Sequence, residues 1–185
     1  MALFVKAYGE QLPLKDELVL VPGVGVNGLV KLGMSTAEAT SVKTDMRETK
    51  SYLFDHDNGE LVSKEHVIEY LDLGVSADFK ETDAIQYISA LVNDPDPSAA
   101  CFTGAVLNNT NVISVVRFTR ERVVEMFGEP KEANAANRLS LYNGRVNHSW
   151  KPLESQNIEV LFYFSEGIQF EFRDNGLKRI GILSN

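Results

Sequence analysis

The residues hardest to replace chemically are three histidines, one cysteine and a glycine-rich stretch. His56, His66 and His148 form neither an H-E-x-x-H motif nor a tight pair, so no zinc-type ligand set is legible. The cysteine, Cys101, lies in Ala99-Ala100-Cys101-Phe102. This apolar setting predicts a buried, inert thiol, because a reactive one needs a nearby cation or helix start to stabilise its thiolate. A lone cysteine also rules out an intrachain disulfide and a thiolate metal cluster, and points to a reducing, cytoplasmic setting. Gly23-Val24-Gly25-Val26-Asn27-Gly28 fits G-x-G-x-x-G literally. A dinucleotide site requires the last glycine to open a helix whose amides hold pyrophosphate. Here the next helix start falls at Ser35, so a glycine-rich turn is expected.

Asp55-His56-Asp57-Asn58-Gly59-Glu60 begins like a calcium loop. Gly59 occupies the fifth position, where an oxygen ligand belongs, and Glu65 falls one short of the twelfth. The register fails and a solvated hairpin turn is expected, with Asp55 and Asp57 as an acidic knob suited to a basic partner. No Gly-x-Ser-x-Gly elbow is present. No catalytic residue, metal ligand or cofactor is assigned.

Aromatic residues gather late in the chain. Alternation places Phe162 and Phe164 on one face of a strand and Tyr163 on the other. The phenylalanines are expected in the core. Tyr142, Trp150 and Tyr163 are the candidate partner-binding residues, since each joins apolar area to a polar handle.

The 26 acidic against 18 basic residues give a net charge of -8. Nonspecific nucleic-acid binding depends on a basic surface and is disfavoured; a basic protein partner fits better. The first ten residues are interrupted by Lys6 and Glu10, unlike a secretory signal, and no apolar run reaches membrane-helix length. No membrane association is expected. Asn108-Asn109-Thr110 and Asn147-His148-Ser149 match the glycosylation pattern and are read as chance matches.

The elements that must position these groups are mostly short strands. Residues 18–22 read as a strand. Ser35 with Glu38 three positions later forms a capping-box signature behind the apolar staple Met34, predicting a short helix. Residues 50–54 read as a strand, whereas 61–73 fit either a capped helix or an alternating strand. Strands follow at 75–79 and 85–91. Asn93-Asp94-Pro95-Asp96-Pro97-Ser98 is the strongest break. Beyond it, residues 111–117 read as a strand, Thr119 caps a second helix, and Gly128-Glu129-Pro130 stops it. Asn143-Gly144 marks a hairpin, and alternating segments at 158–164 and 168–172 lead to a closing strand at 177–183.

The halves superpose as sequence. Met34-Ser35 matches Phe118-Thr119, and Gly74-Val75-Ser76-Ala77-Asp78-Phe79-Lys80 matches Gly167-Ile168-Gln169-Phe170-Glu171-Phe172-Arg173 in character at every position. Ile85, Ile88 and Leu91 match Leu177, Ile180 and Leu183. This predicts an α+β protein of two similar units, residues 1–95 and 96–185, each an antiparallel sheet packed with a short helical element. The pattern of a hydroxyl-capped helix ending in Gly-x-Pro, then a Gly-x-x-F-x-F hairpin, resembles the beta-lactamase-inhibitor-like and small outer-membrane lipoprotein repeat class. The first half lacks the Gly-x-Pro stop. The resemblance implies a binding module presenting a sheet surface to a protein. A cytoplasmic immunity-type inhibitor occluding a basic partner is the leading expectation. The alternatives are an enzyme with a dispersed site using His66 or His148 with carboxylates, and a structural or small-ligand-binding module.

Overall fold

The computed structural model describes residues 18–54, 59–79, 82–93, 100–109, 111–130, 132–135 and 158–184. The first half supplies β1 (Val19–Val21), β2 (Gly25–Val26), β3 (Val30–Lys31), α1 (Thr36–Thr40), β4 (Met46–Phe54), β5 (Leu61–Tyr70), β6 (Val75–Asp78) and β7 (Tyr87–Leu91). The second supplies β8 (Ala105–Asn108), β9 (Asn111–Ser114), a 3-10 turn (Val115–Arg117), α2 (Arg120–Phe127), β10 (Glu132–Ala135), β11 (Ile158–Tyr163), β12 (Ile168–Arg173) and β13 (Gly176–Leu183). The fold is α+β with two sheets.

Local chemistry explains the element ends. Ser35 accepts from the Glu38 amide, while the Glu38 carboxylate accepts from the Ser35 amide at 2.8 Å, closing the capping box that starts α1. Thr119 caps α2 by accepting from the Arg122 amide at 3.2 Å, and Gly128 ends the helix with φ +82°. The ambiguous segment resolves as strand: β5 alternates core-facing His66, Ile68 and Tyr70 with half-buried Val67 and Glu69. Gly23 to Gly28 forms the β1–β2 hairpin and the following turn, with no helix at its end. Gly25 is required there because a Cβ would lie 2.2 Å from the Val30 carbonyl oxygen. The segment expected to be a strand at 111–117 splits into β9 and the 3-10 turn, and Glu132–Ala135, read as a polar stretch, is a strand.

The large sheet runs β10-β11-β12-β13-β7-β6-β5-β4, all antiparallel. The small sheet runs β3-β2-β1-β8-β9 and is antiparallel except where β1 meets β8. Pairing of β7 with β13 across the expected boundary puts both halves in one sheet, with Ile88 opposite Ile182 and Ala90 opposite Ile180. One apolar cluster joins Leu20, Val26, Ala39, Ile68, Phe79 and Ile88 to Val106, Val123, Phe170 and Ile180. This core lies between one face of the large sheet and the layer made by α1, α2 and the small sheet. Burial of so much apolar area from both halves ties them into one stability unit.

Several contacts recur in the two halves. Tyr70 ends β5 and donates its hydroxyl to the Ala39 carbonyl of α1 at 3.2 Å. Tyr163 ends β11 and donates to the Gly128 carbonyl after α2 at 2.9 Å. Gly74 and Gly167 open the next strand at φ +65° and +70°. Their carbonyls accept from Leu91 at 2.9 Å and Leu183 at 3.0 Å.

Candidate functional site

Since β-strand side chains alternate, filling one face of the large sheet with core leaves the other for different work. That outer face carries Arg47, Thr49 and Ser51 from β4, Glu65 and Glu69 from β5, Ser76 and Asp78 from β6, and Tyr87 and Ser89 from β7. It continues with Arg179 and Gly181 from β13, and Gln169, Glu171 and Arg173 from β12. Register brings these together: Asp78 is opposite Tyr87, Ser76 opposite Ser89, Gly181 opposite both Ser89 and Gln169, and Arg179 opposite Glu171. The Ser76 and Ser89 hydroxyls lie 2.7 Å apart.

At the centre, Tyr87 and Gln169 lean toward each other across β13. They can do so because position 181 is glycine: a Cβ there would sit 2.4 Å from the Tyr87 hydroxyl and 2.7 Å from Gln169 Cγ. Gln169 Nε2 donates to the Tyr87 hydroxyl at 3.0 Å. Both residues are under 5% exposed, as is Glu171. Burial pushes the Tyr87 phenol far above its ordinary value. The Glu171 carboxylate has Arg173 Nη2 at 3.8 Å on one oxygen and Arg179 Nη1 at 3.9 Å on the other. Gln169 Oε1 and Arg173 Nε are shielded from solvent and have no hydrogen-bond partner among the described residues. Unpaired buried polar atoms are rare because each costs about 1–3 kcal/mol.

The residues singled out in the sequence fall elsewhere. Asp55, Asp57, Tyr142, Trp150, His56 and His148 lie outside the described residues. Tyr163 is in the core, 4% exposed, against Phe127 and Phe170 with ring centroids 5.3 and 6.1 Å away. The expected alternation at 162–164 holds with the faces exchanged: Phe162 is on the outer side and stacks on the exposed Phe164 at 5.2 Å. The hydrogen bond to Gly128 lets a tyrosine take the inward place.

His66 is buried on the core side of β5. Its Nε2 lies 2.8 Å from Glu48 Oε1, and its ring stacks on Phe79 at 4.5 Å. Lys50 and His66 together hold the Glu48 carboxyl below the usual range. Asn108 spends its amide on the Met126 carbonyl at 2.7 Å. An open cleft of about 490 Å³ lies beside it, lined by Asn111, Val112, Ile113, Arg122, Glu125 and Met126. Cys101 is half-buried. Among the described residues, no group of three or more His, Cys, Asp or Glu is placed to hold a metal.

Sequence reasoning missed Tyr87, Gln169, Glu171, Arg173 and Arg179 as a group. Its available signal was Gly181, an interior strand glycine with no turn to explain it. No family model, curated protein or solved structure matches the chain.

Proposed function

We propose that the chain is a non-enzymatic protein-binding module of inhibitor or immunity type, which occludes a basic partner with the outer face of its large sheet. The carrying observation is the central cluster, in which buried Gln169 Oε1 and Arg173 Nε are left without partners. Both atoms are closed to solvent in the free chain, so a partner must displace the neighbouring side chains before its own donor and acceptor recover the desolvation already spent in folding. The net charge of -8 steers a basic protein toward the chain. The face itself mixes Glu65, Glu69, Asp78 and Glu171 with Arg47, Arg173 and Arg179, so its pattern supplies selectivity.

The chain is, in this reading, a duplicated unit of one helix followed by four antiparallel strands. What supports it is the recurrence of α1 before β4 to β7 and α2 before β10 to β13, with the matched Tyr70 and Tyr163 bonds and the matched Gly74 and Gly167 turns. The resemblance to the beta-lactamase-inhibitor-like and small outer-membrane lipoprotein class belongs to the same proposal, as does a cytoplasmic setting. Co-purification from native cells tests it, comparing the wild type with Glu65→Lys on the outer face. A stoichiometric basic protein recovered with the wild type and lost with the variant is expected. Recovery of no protein partner, together with turnover of a metabolite from cell extract, would refute it.

A further inference from the structure

Among the described residues the large sheet is open, and one of its edges is long. β10 ends one side with four residues, whereas β4 ends the other with nine and contains neither proline nor glycine. Arg47, Glu48, Thr49, Lys50, Ser51 and Tyr52 are all exposed along it. An edge of this length is a template for another strand unless something covers it.

The hydrogen bonds settle which groups of β4 are not bonded to β5. Leu71 donates to the Asp45 carbonyl at 2.8 Å, flanking the Met46–Tyr70 pair. In an antiparallel ladder that makes Arg47, Thr49 and Ser51 the residues bonded to β5. The amides and carbonyls of Met46, Glu48, Lys50 and Tyr52 therefore face away from the sheet. A second strand must pair with these.

We propose that β4 pairs antiparallel with β4 of a second copy of this chain, about a two-fold axis at Thr49. Charge selects that register. Centring the axis on Glu48 or on Lys50 sets like charges directly opposite each other, which is destabilising. Centring it on Thr49 sets Glu48 opposite Lys50 twice, Met46 opposite Tyr52 twice, and Arg47 opposite Ser51 twice. The bonded pairs fall on Met46, Glu48, Lys50 and Tyr52, whose amides and carbonyls face away from β5, as the ladder requires. The interface is isologous and closes on itself, and it joins two outer faces into one continuous surface. Within one chain Lys50 Nζ already lies 2.8 Å from Glu48 Oε1, so both charges are held on the same side of the strand. This pairing does not depend on the proposed function.

Sedimentation equilibrium across the micromolar range, with cross-linking of cysteine variants, tests it. The wild type, carrying only Cys101, is the control. Thr49→Cys places two thiols across the axis in a non-bonded pair, close enough for a disulfide. Ser51→Cys places them about 13 Å apart along the strands, beyond disulfide reach. The expected result is a reversible dimer that Thr49→Cys traps under mild oxidation and Ser51→Cys does not. Lys50→Glu, at an exposed position, sets four carboxylates together and is expected to weaken the dimer by about tenfold or more, with an unchanged circular dichroism spectrum. A monomer at every concentration overturns the proposal. So does a dimer indifferent to Lys50→Glu, or equal trapping by the two cysteine variants.

Discussion

Replacing Tyr87 with phenylalanine and Gln169 with leucine together should make the protein more stable and a poorer binder. The free-energy terms follow from the geometry. Gln169 spends Nε2 on the Tyr87 hydroxyl at 3.0 Å and leaves Oε1 without a partner. Gln169→Leu alone removes that orphan, worth about 1–3 kcal/mol, but strips Tyr87 of its partner at a similar cost. The single variant should therefore lie close to the wild type. The double variant removes both groups, forgoes one hydrogen bond worth about 1 kcal/mol, and keeps the aromatic ring packed over Gly181. A net gain of up to about 2 kcal/mol is expected, which for a chain of this size raises the thermal midpoint by up to about 8 °C. Urea unfolding with unchanged slope, beside a thermal scan, measures it. A double variant destabilised by more than about 1 kcal/mol would mean that Oε1 is satisfied in the folded protein. The reasoning that ties this cluster to partner binding would then fail.

Other consequences are simpler. Gly74→Ala places a Cβ 2.4 Å from the Phe102 amide nitrogen and 2.6 Å from the Ala100 carbonyl at φ +65°; a loss of about 3 kcal/mol or more in urea unfolding is expected. Gly28→Ala, at φ +75° with open space around it, should cost only about 1–2 kcal/mol. Burial pushes the Tyr70 and Tyr163 phenols up to about 12. Their contribution to stability is whole below the unfolded phenol value of about 10 and is lost as pH rises through about 12. Phenolate absorbance should therefore appear together with unfolding in that window, and early titration of every tyrosine in the folded state would contradict it. Ser35→Ala opens the capping box of α1 and should cost about 1 kcal/mol by urea unfolding.

Much of the local structure was legible because its causes are local. The Ser35–Glu38 box and the Thr119 cap depend on residues three apart, and Gly128 stops α2 through its own backbone freedom. The strand at β6 and the alternation through β11 and β12 were readable for the same reason. Face assignment was not. Alternation shows that Phe162 and Tyr163 point to opposite sides, yet only the Gly128 carbonyl over Tyr163 and the packing of Phe127 decide which side is inward. The break in composition at 93–98 lies almost wholly outside the described residues. It does not separate two cores, because β13 lies beside β7 in the assembled sheet.

By itself, then, the sequence determined the α+β class, the capped helix starts, the glycine turns and an acidic chain with one cysteine. All of these rest on propensity, on neighbours within a few residues, or on composition. The tertiary structure decided the rest. It brought Tyr87 and Gln169 together across 82 residues of chain, over a glycine whose role is invisible until both neighbours are in place. It also left β4 at an edge and set the register that turns its amides outward. Contacts between distant strands depend on pairing order and register, and the period of two common to every strand encodes neither.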